Sequence, residues 1–561
     1  MKITVFRHLK RAKPGTASLS FSPFTPESFT FPSRHSMNIL RTACIDRARN
    51  DVQDCLIIGA GINGAVSAAS LAARGLKVTV IDKNDFASCT SQESSNLVWG
   101  GIKYLENYEF ALVNKLCASR NHLIDSFPGQ VREIRFFTSI QKGFRKPRFL
   151  IYLGALLYWF MGGCRTRPPR LLSVSAIRKE APMVNTERLA GGIEYSDAYF
   201  VENDARFTFN FIRRVLRKGG NAINYAELIS GHWKNGLWEC EVHDRVSGNT
   251  CRIKSRTLIN AAGPFADRIN HLLNMESHFR HIYSKGVHLI VPRIARTRHV
   301  LTFFASDGRL FFMVPMGNRT CIGTTDTRVD QASVEPTDAD VRFLLDNANQ
   351  LLQLEKPLSE NDVISRRCGV RPLVVHKNDA VKDGEWTSLS RKHEIDVHPD
   401  KNMFSIYGGK LTDCINIGNE AADLITSFGL TGFQPLGSWY GESSPEKHRK
   451  FETDGKRLGL TDNQLDRIWR RHGKTGFQVL EKIKRDPKMR EKLLAGITRA
   501  ELHLMAEQEM VIHLEDFLRR RTHLALTEHR AALRCHPALA ETARILFGPN
   551  AETEIERCFN R

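Results

Sequence analysis

Gly59, Gly61 and Gly64 form a Gly-x-Gly-x-x-Gly run. It directly follows a short apolar stretch, residues 55–58, and opens an Ala-rich helical pattern that lasts to Arg74. In such a run the first glycine permits a tight turn and the second lets backbone approach a pyrophosphate. The third lets helix and strand pack closely. The free N–H groups and positive dipole end of the helix then face the phosphates. A second apolar stretch, 77–81, ends in Asp82, 18 residues past Gly64. A carboxylate there accepts hydrogen bonds from ribose hydroxyls and repels a 2′-phosphate, which disfavours NADP. The chemistry implied is dinucleotide binding on a βαβ unit.

Two later segments decide between a nicotinamide and a flavin. Thr90, Ser91, Ser94 and Ser95 crowd hydroxyls just after the second strand. Far downstream, Gly408 and Gly409 make a glycine turn ahead of Leu411 and Thr412, at the start of a helix pattern running to Ser427. A helix start of this kind can hold the negative charge that develops on a reduced flavin. A nicotinamide site has no need of so distant a second contact. Non-covalent FAD is therefore the expected cofactor.

The elements that must position these residues read as α/β. Residues 257–263 look like a buried strand meeting a glycine turn; 287–291 and 309–314 look like strands of an antiparallel sheet; 404–409 is strand then turn. Beyond about residue 440, segments 461–485 and 499–533 carry Leu and Ile at helical spacing among many Arg and Lys. A chain of 561 residues is too long for one core. The net charge of +20 favours anionic partners without choosing among them. No nucleic-acid motif accompanies it. The 12 cysteines form no C-x-x-C pair and read as reduced thiols, with no metal site implied.

Residues 1–50 are basic, hold two acids, Glu27 and Asp46, and have prolines at 14, 23, 26 and 32. Three readings stand: a disordered extension, a mitochondrial targeting stretch, or a true start at Met37. Another basic segment, 142–170, has no acid and encloses a thirteen-residue apolar run, 149–161. As a helix of about 20 Å it is too short to span a bilayer. Its aromatics and basic flanks suit a helix lying on anionic lipid; a buried core helix is the alternative.

With these segments placed, the chain resembles the FAD-dependent glycerol-3-phosphate dehydrogenases from about Asp54 to its end. The markers are 58–65 (IGAGINGA), 100–105 (GGIKYL), 108–110 (YEF), 194–197 (EYSD), 203–206 (NDAR), 258–264 (LINAAGP), 285–288 (KGVH), 322–326 (IGTTD), 369–373 (GVRPL), 408–412 (GGKLT) and the tail 507–521. The resemblance implies a Rossmann-like FAD-binding domain of glutathione-reductase-like (DAO) type over 51–435. It also implies an inserted antiparallel-sheet substrate domain, roughly 131–200 and 276–361, and an α-helical C-terminal domain over 440–561. It implies hydride transfer from C2 of glycerol 3-phosphate to FAD, with electrons passed to a membrane quinone. His288 matches the family's active-site histidine. Arg371 and Lys410 match catalytic cations, and Lys103, Tyr104 and Arg391 match substrate contacts. A peripheral place on the bacterial inner membrane follows, or on the mitochondrial one, and a homodimer is allowed. The chain departs from the family at Asn96, Trp99 and Lys103, where a Lys, a His and an Arg are usual. That leaves open a different hydroxyl or amine substrate. A degenerate scaffold is disfavoured by His288, Arg371 and Lys410.

Overall fold

The computed structural model describes residues 36–295, 298–379, 391–431 and 434–560. Residues 1–35, on which most of the N-terminal readings fall, lie outside it. The expected extension nevertheless ends in order: α1 (Ser36–Asn50) is a helix. Its Arg41 is buried and donates to Asp244 Oδ1 at 2.6 Å and to Asn224 O at 2.8 Å. The face it buries, Arg41, Cys44 and Ala48, carries helical spacing but little apolar bulk. No hydrophobic stripe announces it, which is why this stretch reads as a tail.

The nucleotide unit forms as expected. β1 (Gln53–Ile58) is wholly buried, α2 (Ile62–Ala73) follows, and β2 (Val78–Ile81) pairs parallel to β1 with Cys55 opposite Val78. Thr250–Asn260 lies parallel on the other side of β1, and Met403–Gly408 lies parallel beyond it. The eight-stranded sheet runs from His393–His398 through these strands to Asn221–Ile223, with a hairpin of Ala226–Lys234 and Leu237–Asp244 at its side. Strands buried on both faces read as continuous Val, Ile and Leu runs; β1 and β2 do so.

The second sheet has ten strands. Its long members are Val131–Gln141, Leu189–Phe200, Phe279–Pro292 and Ser365–His376. It is antiparallel except where Val300–Phe304 runs parallel to Val131–Gln141. It also takes in Leu97–Val98 and Ser365–His376, which fall outside the residue ranges expected of the substrate part. Six longer helices build the C-terminal region, from Pro445–Arg457 to Ala551–Phe559. A wide π-helical turn, Asp516–Arg521, is set among them.

The apolar run 149–161 is helical, as Arg148–Met161. Of its side chains, Ala155 and Tyr158 are buried, whereas Phe149, Leu150, Leu153, Leu157 and Phe160 are 44–61% exposed. That exposure excludes the core-helix alternative. Among the described residues no helix is long and apolar enough to cross a membrane.

Candidate active site

The glycine run forms a cradle whose three members have distinct reasons to lack a side chain. Gly59 has φ +98°, and a Cβ there would lie 2.5 Å from Ala261 O on the neighbouring strand. A Cβ on Gly64 would collide with Gly59 O. Gly61 is different. Its Cβ would meet nothing nearer than Ser91 Oγ, at 3.1 Å, so this position keeps backbone accessible. Ser91 Oγ accepts from the Ile62 N–H at 2.9 Å, at the first turn of α2. Asp82 accepts from the Ala60 N–H at 2.8 Å and the Asn84 N–H at 2.9 Å. It therefore braces the cradle while lining the cleft. Burial pushes its carboxyl up to about 6 against those two hydrogen bonds.

A cleft of about 1310 Å³, continuous with solvent, runs from this cradle. Gly59, Gly61, Asp82, Thr90 and Ser91 line one part, and Pro372, Gly408 and Gly409 line another. The two parts are tied together: Asn63 Nδ2, in the first turn of α2, donates to Gly408 O at 3.0 Å. Five residues assigned to the cofactor from sequence do not line the cleft, among them Gly64, which serves the close packing of α2 on the turn. Ser94 donates its hydroxyl to Asp204 Oδ2 at 2.6 Å, so its oxygen is committed within the protein. Thr412 donates to Trp99 O at 3.4 Å. Leu411 packs against the main core. Ser95 is half-buried outside the lining. Thr90 does line the cleft, while its hydroxyl donates to Val370 O at 2.8 Å.

Beyond the glycine turn, the substrate-side residues come together from three elements. His288 lies on Phe279–Pro292, opposite Gly323 on one side and Arg367 on the other. It is buried, and neither ring nitrogen has a hydrogen-bond partner among the described residues. Burial, then the charges of Arg367 and Arg371, hold its imidazole well below the ordinary range. The ring is neutral at working pH and able to accept a proton.

Arg371 lies on the adjacent strand, opposite Ser284. Its guanidinium crosses over Gly286, where any Cβ would strike it. Nη2 donates to Thr324 Oγ1 at 2.9 Å, and Nη1 stands 3.4 Å from Asp326 Oδ1. Burial pulls the Arg371 guanidinium down to about 10, against the pull of Asp326. Arg391 Nη2 stands 3.6 Å from the other oxygen of Asp326, and Ser284 also donates to this carboxylate.

Lys410 completes the group. Its Nζ is buried with no hydrogen-bond partner among the described residues, 4.1 Å from the centre of the Tyr104 ring and 5.5 Å from that of Trp99. Burial and nearby Arg391 push its ammonium well below the usual range. Lys103 is exposed on the short turn Ile102–Asn107, its ammonium likewise lowered by burial of the charged end and by Arg391.

The structure thus groups Lys103, Tyr104, Arg371, Arg391 and Lys410 around one another and Asp326. Sequence reasoning named these but passed over Asp326, Thr324 and Arg367. Asp326 and Thr324 sit inside the stretch 322–326, whose polar residues following an apolar strand were the available signal. Arg367 is fully buried and donates to Asp204 Oδ2 at 2.6 Å. The departures also have places. Asn96 adopts φ +59° and accepts from the Asp204 N–H at 3.3 Å. Trp99 donates to Tyr195 OH at 3.4 Å and forms part of the wall around Lys410.

Comparison with known proteins bears on this geometry. Residues 54–410 match the FAD dependent oxidoreductase family, and 434–553 match the C-terminal domain of alpha-glycerophosphate oxidase. A glycerol-3-phosphate dehydrogenase of Pseudomonas tolaasii is 31% identical over 85% of this chain and 92% of its own length. The chain belongs to the FAD-dependent glycerol-3-phosphate dehydrogenase family. Another relative, the aerobic glycerol-3-phosphate dehydrogenase of Escherichia coli, is 29% identical over 84% of this chain and 94% of its own. In fold the chain is similar to the glycerol-3-phosphate dehydrogenase of Bacillus halodurans complexed with FAD (TM-score 0.70, 24% identity, 93% and 95% of the two chains).

The residues present fit the family's cofactor, FAD. A dinucleotide needs a backbone-lined cradle, and a Cβ at Gly59 or Gly64 would destroy this one. A flavin ring needs a flat site with a hydrogen-bonding helix start, and the turn at Gly408 and Gly409 offers it beside an unpartnered buried ammonium.

Proposed function

We propose that this protein oxidises sn-glycerol 3-phosphate to dihydroxyacetone phosphate and hands the electrons to a membrane quinone. The observation that carries the reading is the cation group around Asp326. Arg371, Arg391, Lys103 and Lys410 converge where Asp326 is the carboxylate shared by both arginines. A phosphate dianion suits such a place, because two guanidinium forks match its geometry and its charge answers theirs.

Bound FAD supplies the acceptor for the two electrons and the hydrogen that leave C2 of the substrate. The cradle of Gly59, Gly61 and Gly64, with Asp82, Thr90 and Ser91, would hold its dinucleotide part, and Gly408 and Gly409 would hold its flavin part. Arg371 and Arg391 bind the phosphate, and Lys103 closes the site from its exposed turn. With the phosphate fixed, His288 is the base. Its neutral ring takes the hydroxyl proton as the C2 oxygen becomes a carbonyl. Lys410, walled by Tyr104 and Trp99, offers a desolvated cation to the negative charge that develops beside it. A 2-hydroxy acid or an amine would leave several of these cations without a use.

The quinone half rests on the helix Arg148–Met161. Its exposed Phe149, Leu153, Leu157 and Phe160, flanked by basic residues, suit insertion into the headgroup region of an anionic bilayer. A lipid-soluble acceptor is then within reach, which favours a peripheral place on a membrane.

The test is anaerobic mixing of the purified holoenzyme with glycerol 3-phosphate while flavin absorbance is followed. Bleaching within the turnover time is expected. A flavin that stays oxidised under saturating glycerol 3-phosphate but bleaches with another hydroxyl or amine compound overturns the substrate assignment.

A further inference from the structure

The loop after β2 builds much of the cleft wall: Asp82, Lys83, Ala87, Ser88, Cys89, Thr90 and Ser91 all line it. Its backbone does not take this shape unaided. Ala87, Cys89 and Asn96 have φ of +62°, +114° and +59° without being glycine. Such conformations persist where the surroundings over-determine them.

The surroundings are supplied largely from some 430 residues away. Within the π-helical turn Asp516–Arg521, three consecutive arginines point at this loop. Arg520 Nε donates to Asp85 Oδ2 at 2.6 Å, and its Nη1 donates to Gln92 Oε1 at 3.2 Å. Arg521 takes both oxygens of Asp85, at 2.7 and 2.9 Å. Arg519 Nη2 donates to Gln92 O and lies 3.3 Å from Glu93 Oε1. Asp85 and Arg521 are fully buried, and Arg519 and Arg520 nearly so. Gln92 O also accepts from Arg367 Nη2 at 2.6 Å, so the same carbonyl is gripped from the substrate sheet. None of the three arginines lines the cleft. Whatever they do for the cofactor, they do through the loop.

We infer that the Arg519–Arg521 triplet of the C-terminal region is a set of positioning residues that hold the cleft-lining loop in its FAD-binding shape, so that the helical C-terminal region governs cofactor retention. The inference rests on FAD as the cofactor and is independent of which substrate is oxidised. The C-terminal helices thereby acquire a function that neither the cradle nor the substrate group assigns them.

The test is release of FAD from diluted holoenzyme, followed by the rise in flavin fluorescence, in wild type, Arg520→Met, Arg520→Lys and Arg499→Ala. Arg499 pairs with Glu491 and Glu541 inside the C-terminal region and touches no part of the loop. It reports what generic weakening of that region does. Thermal unfolding of each apoprotein is measured alongside, since there FAD binding cannot contribute.

Arg520→Met is expected to raise the FAD dissociation constant roughly ten- to a hundredfold, the range for losing a buried charge-assisted pair. Arg520→Lys should recover part of this, because a lysine reaches Asp85 but not Asp85, Gln92 and Asp516 together. Arg499→Ala should leave FAD affinity near wild type at a similar fall in apoprotein Tm. Unchanged FAD affinity in Arg520→Met overturns the inference. So does an equal loss of FAD in Arg499→Ala, which would show that stability alone sets retention. If Arg520→Met does not fold, Arg519→Lys serves in its place; it keeps the charge and loses the fork on Gln92 and Glu93. A several-fold faster FAD release then supports the inference, and an unchanged rate overturns it.

Discussion

Arginines crowd two regions of this molecule and are balanced differently in each. In the seam between the C-terminal helices and the nucleotide sheet, three buried guanidiniums meet carboxylates at close range. Arg206 lies 2.6 Å from Glu509, Arg471 lies 2.5 Å from Glu501, and Arg520 lies 2.6 Å from both Asp85 and Asp516. Around Asp326, by contrast, that carboxylate stands 3.4 Å from Arg371 and 3.6 Å from Arg391, and Lys410 is buried against aromatic rings with no hydrogen-bond partner among the described residues. Burial is common to both regions. What differs is the supply of negative charge. A cation whose partner is built in serves the fold, whereas one that is desolvated and under-compensated is arranged for an anion that arrives later.

The sharpest way to break this comparison is to delete one arginine from each region. Arg206→Ala leaves Glu509 buried without its main partner and should cost about 3–5 kcal/mol of stability, enough to unfold the chain near physiological temperature. Arg371→Ala should lower kcat/KM roughly ten- to a hundredfold with little change in Tm. Thermal unfolding and steady-state kinetics on both variants check the pair. An Arg371→Ala protein that is destabilised as much as Arg206→Ala would erase the distinction.

His393 sharpens the comparison at the border of the two regions. It lies below the turn of Gly408 and Gly409, 3.1 Å from Asp413 and 2.6 Å from Glu420, with Lys115 on the far side of both acids. Burial opposes its charge, but the hydrogen bonds and charges of the two carboxylates win and raise it to about 9. Its folded value lies above the ordinary one. The stabilisation is therefore fully present below about pH 6.5 and lost as pH rises through about 9. The Tm gap between wild type and His393→Gln should be widest near pH 6 and close above pH 9. A gap that does not vary with pH would mean that the imidazole is neutral and merely packed.

The smallest effect concerns exposed cations, which serve neither fold nor site. Arg145, Arg165 and Arg167 flank the helix Arg148–Met161 and pair at the surface with Glu106, Asp125 and Glu133. Such pairs contribute little to stability, roughly 0–1 kcal/mol. Sedimentation with anionic vesicles should weaken as salt rises and be abolished by replacing Leu153, Leu157 and Phe160 with Ser, while reduction of a water-soluble dye survives. A triple variant that still sediments would place the docking surface elsewhere.

Much of the nucleotide site was legible in the sequence because its requirements are local. The turn at Gly59, the helix start at Ile62 and the acid at Asp82 lie within a few dozen residues and are set by steric rules. His288, Arg371 and Lys410 were legible only through resemblance, since they meet through strand register across more than a hundred residues. Ser94 looked like a cofactor hydroxyl because it is near Ser91 in sequence; the structure turns it toward Asp204 instead. In the sequence the C-terminal arginines are simply part of the basic make-up of segments 461–485 and 499–533. Arg471, Arg519, Arg520 and Arg521 are buried, and their partners Asp85 and Glu501 could be named only once the chain was folded. α1 was hidden because its inward face is built from an arginine and small residues.

The early placement of α1 and β1 sets a timetable for synthesis. β1 can pair with β2 early but cannot find its second neighbour until Thr250–Asn260 has been made, and α1 also packs against Arg499–Gln508. At about 5–20 residues per second, the interval between residues 50 and 500 is roughly 20–90 s. Until then α1 lacks its C-terminal packing partner. The loop that completes the cradle waits longer still, until the arginines at 519–521 leave the ribosome. On the inference above, FAD is held only once these arginines are made, and the first helix to be made is among the last to be secured.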